Sequence, residues 1–328
     1  MEQKKRPLVS MITYCYNGER FIHKYFEAVL AQTYDNIELI FIDNGSQDGT
    51  WHIAQSYLPK LEGRGIQTQL IRKETNQSTC AMKKLGFELM HGDYFFGCDS
   101  DDLIHPTYIE KMLGYLVDHP EKGVVFCQLR AVLETTGEQI GLMKINPNPN
   151  PKGAFIDLLC ARNAIFTPIS YMISREHFLQ VNPKMDIYIS RYGENYQIQL
   201  PLLYADLQGY IEEPLGDYSI RYDSYTGKLK KDPIKQINAY RGQEESIIAT
   251  LEQMELPNAT EFYPYFQVRL RSEALFASLS TKDRGLRKEC YGRLKAVNGI
   301  TPKIFISYRL PFVRTLLLKL LRREKKGE

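Results

Sequence analysis

The sequence is short of the features that most often announce a function. None of its six cysteines (Cys15, Cys80, Cys98, Cys127, Cys160 and Cys290) stands in a C-x-x-C pair. Neither a zinc site nor a disulfide framework is indicated, and reduced, mostly buried thiols are expected. The histidines (His23, His52, His91, His105, His119 and His177) show no metal-ligand spacing. There is no G-x-G-x-x-G, no G-x-x-x-x-G-K-[ST] and no G-x-S-x-G, so any phosphate would be held by metal and side chains, not by a glycine cradle. No stretch approaches the roughly 18 uncharged apolar residues of a membrane span. A formal net charge of +3 over 328 residues is too weak to make nucleic acid the main partner. The opening "MEQKKRPLVSMITYCYNGE" is basic, but its apolar run is short and lacks a small-residue cleavage site. It reads as a first strand, not a signal peptide, and a cytoplasmic chain is expected.

What is present is an ordinary globular composition, 43% hydrophobic and 25% charged, with a clear alternation of patterns. "LVSMITY" (8–14) and "IELIFID" (37–43) read as buried strands, and "GIQTQLIR" (65–72) as a weaker one. Between them, Phe21, Ile22, Tyr25, Phe26, Val29 and Leu30 recur at helical spacing. "STCAMKKLGFELM" (78–90) and "PTYIEKMLGYLVDH" (106–119) are helical patterns, while "DYFFGCD" (93–99) and "GVVFCQLRAVL" (123–133) are strand-like. Such alternation over short connections predicts a parallel sheet with helices on both faces, whose ligands sit beyond the carboxyl ends of the strands. "NPNPNPKG" (146–153) is a linker. Beyond it come strand-like "AIFTPISYMIS", helical "ENYQIQLPLLYADLQG" and the strand and loop of 210–228. From about 232 the patterns turn to long charged helices.

Two polar elements fall at predicted strand ends, Asp43-Asn44 and the cluster Asp99-Ser100-Asp101-Asp102. Carboxylates one residue apart can share a hard divalent cation, leaving positions for phosphate oxygens and water. The alternative is a turn in which Asp102 or another aspartate caps the next helix before Pro106.

"VSMITYCYNGERFIHKYFEAVLAQTYDNIELIFIDNGSQDGT" followed by "GDYFFGCDSDDLIHP" resembles the family-2 glycosyltransferases of the GT-A fold. The order and spacing of "LAQTY" (30–34), "DNGSQDGT" (43–50) and "DSDD" (99–102) carry the resemblance over about the first 120 residues. It implies an α/β, Rossmann-like, mostly parallel sheet flanked by helices, with a helical C-terminal extension. It also implies a nucleotide-diphosphate-sugar donor, a divalent ion (Mn²⁺ or Mg²⁺) on Asp101 and Asp99, and inversion at the anomeric carbon. Tyr14, Tyr16 and Asn17 would flank the base, and Asp43 and Asn44 would read it. The family's second carboxylate is Asn44 here, whose amide oxygen can still accept a uracil N3–H; a UDP-sugar is the expected donor. Ser100 and Lys83 would lie on the donor side. Lys83 stands where the family carries arginine and Ser78 where it carries glycine.

"RYGENYQIQL" (191–200) resembles the family's Glu-Asp motif, which makes Glu194 the expected base for an acceptor hydroxyl; the following Asp is Asn195 here. In "DYSIRYDS" (217–224), Arg221 would neutralise the leaving diphosphate. The sequence predicts residues 1–228 as the transferase domain, with a donor half (1–120) and an acceptor half (121–228), and 229–328 as a helical region. Its end, "IFISYRLPFVRTLLLKLLRREKKGE", sets Arg309, Arg314 and Lys319 among apolar residues. That helix either caps its own domain or lies on an anionic membrane surface, which would suit a lipid-linked saccharide acceptor. Two rivals remain open. A non-catalytic nucleotide-sugar binder is one; a sugar nucleotidyltransferase is the other, though "TYCYNGER" supplies no glycine- and basic-rich loop.

Overall fold

The structure, a computed structural model, describes residues 6–150, 152–221, 224, 227, 229 and 231–309. Strand β1 (Val9–Cys15) pairs in parallel with β2 (Ile37–Asp43), from Val9↔Ile37 to Cys15↔Asp43. β3 (Gln67–Arg72) extends the parallel ladder beyond β2, and β4 (Tyr94–Gly97) lies parallel along the other side of β1. All seven residues of β2 are buried, as a strand covered on both faces requires. Helix α1 (Ile22–Leu30) supplies part of that cover by burying Ile22, Tyr25, Phe26 and Val29, the apolar stripe of a 3.6-residue period. Phe26 lies 5.2 Å from Phe41 and stacks at 4.8 Å on Tyr57 of α2 (Thr50–Gly63). On the opposite face, α3 (Thr79–Leu89) presses against β1 at Gly86, where a Cβ would come 2.4 Å from Ile12 Cγ2. Gly86→Ala is therefore expected to destabilise the protein by about 1–3 kcal/mol through overpacking, read as a shift in the urea unfolding midpoint.

The second half of this unit comprises β5 (Leu103–Ile104), α4 (Tyr108–Asp118), β6 (Val124–Leu133), β7 (Gln139–Met143), α5 (Gly153–Leu159), β8 (Tyr171–Ser174), α6 (Arg175–Val181), α7 (Glu194–Tyr204) and β9 (Gln208–Ile220). The sheet order is β3-β2-β1-β4-β8-β6-β9-β5, with β7 beside β6. The predicted α/β sheet flanked by helices is present, parallel over β3-β2-β1-β4. Beyond that point it is mixed: β8 runs antiparallel to both β4 and β6, and β9 returns parallel to β6. β5 and β7 had no counterpart in the sequence patterns. β5 is two residues long, and β7 is a half-exposed edge strand with glycine at its centre.

The pairings decide where the polar elements meet. Cys15 lies opposite Asp43, Asp43 opposite Arg72, and Ile12 opposite Gly97. Segments 14–17, 43–47, 73–78 and 98–102 thus leave the sheet at one edge. β5 pairs antiparallel with β9 through Leu103↔Asp217 and Ile104↔Gly216, which carries Arg221 back toward the acid cluster. Asp217 clamps this pairing by accepting both Arg130 Nε (2.6 Å) and Arg130 Nη2 (2.8 Å), with His105 Nε2 at 2.9 Å. Those partners outweigh burial and hold its carboxyl down at about 2.

The chain divides into two compact units, Met1–Tyr222 with Ser246–Pro257, and Asp223–Glu245 with Asn258–Glu328. The second unit is helical among its described residues and has a core of its own, with Ile237, Leu275, Cys290 and Leu294 at most 2% exposed. Of the basic amphipathic tail foreseen in the sequence, Arg314 and Lys319 lie outside the described residues.

Candidate active site

The three aspartates of the cluster have separate fates. Asp102 is 1% exposed; it accepts the Ser219 amide at 2.9 Å and the Thr167 hydroxyl at 3.0 Å. Burial, then Asp99 and Asp101, push its carboxyl well above the ordinary range, so it serves as a tie between β9 and the segment before β8. It does not cap α4, whose N-cap position is Thr107 without a side-chain cap. Asp101 is reached by Arg221 Nη2 at 2.5 Å, and the same guanidinium lies 4.3 Å from the Phe21 ring centre. Asp99 is raised to about 7 by burial and by Asp101, with Lys83 opposing. Ser100 is buried, and burial pushes the Cys15 thiol up to about 12 with Ser100 opposing the shift.

Behind Asp99 lies a network that ties the donor half to α7. Lys83, on α3, is only 4% exposed, and its Nζ donates to Asn195 Oδ1 at 3.3 Å. Burial lowers its pKa, opposed by Glu194 and then Asp99. The Tyr171 hydroxyl donates to the same Asn195 oxygen at 2.9 Å, while Asn195 Nδ2 donates to the Phe166 carbonyl at 2.5 Å and to Glu194 Oε1 at 3.4 Å. Lys83 can only donate and a carbonyl can only accept, so an amide is the side chain that satisfies every partner here. Tyr14, Lys83, Asp99 and Tyr171 line one cavity of about 20 Å³, room for about one water molecule. Burial, then Asp99 and Glu194, push the Tyr14 hydroxyl well above its usual value.

The Asp43-Asn44 turn is organised differently. Asp43 is fully buried; its Oδ1 accepts the Ser46 amide at 3.0 Å, and Oδ2 lies 3.2 Å from Arg72 Nε. Asn44 pairs twice with the backbone of Gln77: Oδ1 accepts its N–H and Nδ2 donates to its carbonyl, each at 3.0 Å. Gly45 (φ +80°) packs so closely under this loop that a Cβ would meet the Thr75 carbonyl carbon at 2.8 Å, a position closed to other residues. Asn17, also left-handed at φ 53°, accepts the Gln47 amide on its Oδ1 and donates its own N–H to Ser46 Oγ, each at 2.9 Å. Tyr16 is half exposed beside it.

The structure therefore places Tyr14, Lys83 and Asp99 around one cavity and links Lys83 to Glu194 through Asn195; it joins Asp101 to Arg221 and fastens Asn17 to the turn that follows Asp43-Asn44. Sequence reasoning missed Tyr171 and Thr167, which sit in segments without motif character, and Gln77, which takes part through its backbone between the family-motif positions Asn76 and Ser78. Among the described residues no group of three or more His, Cys, Asp or Glu side chains converges as a metal cage. Asp99 and Asp101 are nevertheless hard oxygen donors at a strand end. With Glu194 nearby and Asp102 kept as a structural tie, three carboxyl groups face the two local cations Lys83 and Arg221. That donor set fits a divalent ion whose remaining positions go to phosphate oxygens and water.

The parallel half-sheet continued by mixed strands, with the acid cluster at the edge where its loops leave, is a GT-A-type glycosyltransferase fold. Over 92% of this chain and 91% of the other, the structure aligns with Staphylococcus aureus TarS at a TM-score of 0.55 and 14% identity. The chain belongs to glycosyl transferase family 2, whose model matches residues 10–178. It is 37% identical over 132 residues to EpsH of Bacillus subtilis, covering 40% of this chain and 36% of that one. It is 32% identical over 146 residues to an uncharacterized glycosyltransferase of Haemophilus influenzae, covering 42% and 57%. The chain thus spans from about a third to somewhat over half the length of these relatives.

Proposed function

We propose that this protein transfers a sugar from a nucleotide-diphosphate donor, a UDP-sugar, to a hydroxyl of a saccharide or lipid-linked saccharide, with inversion at the anomeric carbon. The observation that carries the reading is the convergence of Asp99, Lys83 and Glu194 from the segment after β4 and from helices α3 and α7: Asp99 and Lys83 line one cavity, and Lys83 and Glu194 share Asn195, beside the Asp101–Arg221 pair. Arg221 would neutralise charge on the departing diphosphate, and Glu194 would take the proton of the attacking hydroxyl. A divalent ion on Asp101 and Asp99 would supply further stabilisation of that leaving group. Asn44 keeps one lone pair on Oδ1 beyond its bond to Gln77, which suits a single N–H from a uracil. Solved TarS structures of the same fold include complexes with UDP and with UDP-GlcNAc, which supports a uridine donor here.

One observation favours a second reading, a nucleotide-sugar binder without turnover: the aspartate of the family's Glu-Asp motif is the amide Asn195 here. Incubation with individual nucleotide sugars and Mn²⁺ or Mg²⁺ separates the two. Release of UDP from one UDP-sugar, increased by acceptor, is expected. Binding without release would establish the binder, and neither binding nor release with any donor would overturn both.

A further inference from the structure

The charge of this chain is unevenly spread. Residues 282–328 hold 14 lysines and arginines against 4 aspartates and glutamates, a net of +10, so the preceding 281 residues carry −7 within a total of +3. In the second unit, the described part of this segment forms the helices Arg284–Lys295 and Pro302–Arg309. Their inner sides bury Cys290, Leu294, Ile304 and Ser307. Tyr291 and Tyr308 stack at 4.1 Å between them, so the two outer sides belong to one surface. Arg284, Lys288 and Lys295 are exposed and fall within an arc of about 40° on the first helix, at 100° per residue. Lys303, Phe305, Ile306 and Arg309 are exposed on the second, with Phe305 at 45% and Ile306 at 42%. The two carboxylates of 282–309 are engaged elsewhere. Asp283 caps its own helix by accepting the Leu286 amide at 2.9 Å, and Glu289 accepts Arg241 at 2.8 Å.

We propose that this face docks on an anionic lipid surface. Clustered cations alone would suit any polyanion; two large apolar side chains exposed among them suit a bilayer, where the rings and aliphatic groups enter the headgroup boundary while the cations hold lipid phosphates. The inference stands on charge and exposure and does not depend on the transfer reaction.

The test is co-sedimentation of the full chain with phosphatidylcholine vesicles, with and without phosphatidylglycerol. Binding to the anionic vesicles alone, weakened by salt, is expected. Each basic residue at such a surface contributes about fivefold in affinity, so the triple variant Arg284→Glu/Lys288→Glu/Lys295→Glu should bind at least tenfold more weakly. Phe305→Ser/Ile306→Ser should also bind vesicles more weakly, while its retention on heparin is unchanged. Should the triple variant not fold, Lys288→Gln/Lys303→Gln carries the same expectation. The proposal is overturned if the full chain ignores anionic vesicles, or binds neutral ones equally. It is also overturned if both surface variants bind like the parent, or if duplex DNA is bound more tightly than vesicles and the apolar variant alters neither.

Discussion

Asp101→Ala is expected to lower sugar transfer by about a hundred- to a thousandfold while leaving the folded state intact. Two properties set it apart from its neighbours. Its side chain keeps 22% of its surface exposed, whereas Asp102 is 1% exposed and ties two backbone segments together. Removing Asp101 therefore opens no large cavity, and the Arg221 guanidinium, which loses this one partner, retains the Phe21 ring beneath it. The loss falls on charge stabilisation in the transition state, where one such group accounts for about 10²–10³ in rate. Asp101→Asn discriminates further. It preserves the shape and can still accept from Arg221, yet supplies no negative charge to a cation, so it should be nearly as inactive as the alanine variant. The measurement is the initial rate of nucleoside diphosphate release at saturating donor across a Mn²⁺ series, with melting temperature as the control for folding. An Asp101→Ala enzyme that keeps a third of the parent rate would remove the metal role from this corner.

The donor half was largely legible because its signals are local. Buried runs such as "IELIFID" can hardly be anything but inner strands once turns and helical stripes flank them, and the parallel ladder then fixes which loops share an edge. The placement of Asp99 and Asp101 at that edge follows from the same logic. Lys83, expected near the donor, lies inside the network, and Ser78, which departs from the family pattern, accepts the Ala81 amide as the N-cap of α3.

The rest depends on partners far away in the chain. Asp102 binds Thr167 and Ser219, 65 and 117 residues on; Thr167 lies in no recognisable motif, and Ser219 enters through its backbone N–H, which any residue there would supply. β5 exists only because β9 returns to pair with two residues that would otherwise be loop. Asn44 is complementary to the Gln77 peptide and engages it with both of its polar atoms, which leaves one lone pair of Oδ1 for a base and which no motif announces. A sequence shows that an amide is present; only the fold shows which peptide it meets.

Glu194→Gln should reduce turnover by about 10²–10⁴, the usual worth of a positioned general base, with the affinity for the donor nucleotide unchanged. The competing assignment places the working carboxylate one residue later, so that Asn195 would mark a lost catalytic group. The hydrogen bonds argue against this. Asn195 Nδ2 faces the Phe166 carbonyl at 2.5 Å while Oδ1 takes Lys83 and Tyr171. In Asn195→Asp the second oxygen would meet that carbonyl with no proton between them, at a site where Asn195 is 9% exposed. An unpaired buried carboxylate oxygen against another acceptor is strongly unfavourable. Asn195→Asp is therefore expected to lose activity by about tenfold or more and to melt at a lower temperature, because α7 and Glu194 are displaced. Asn195→Ala should also lose activity, while leaving the dependence on Glu194 intact. Donor titration by calorimetry and turnover under saturating donor and acceptor separate the binding and chemical effects. If Asn195→Asp instead restores turnover to the Glu194→Gln enzyme, the base belongs at position 195 and Glu194 merely accompanies it.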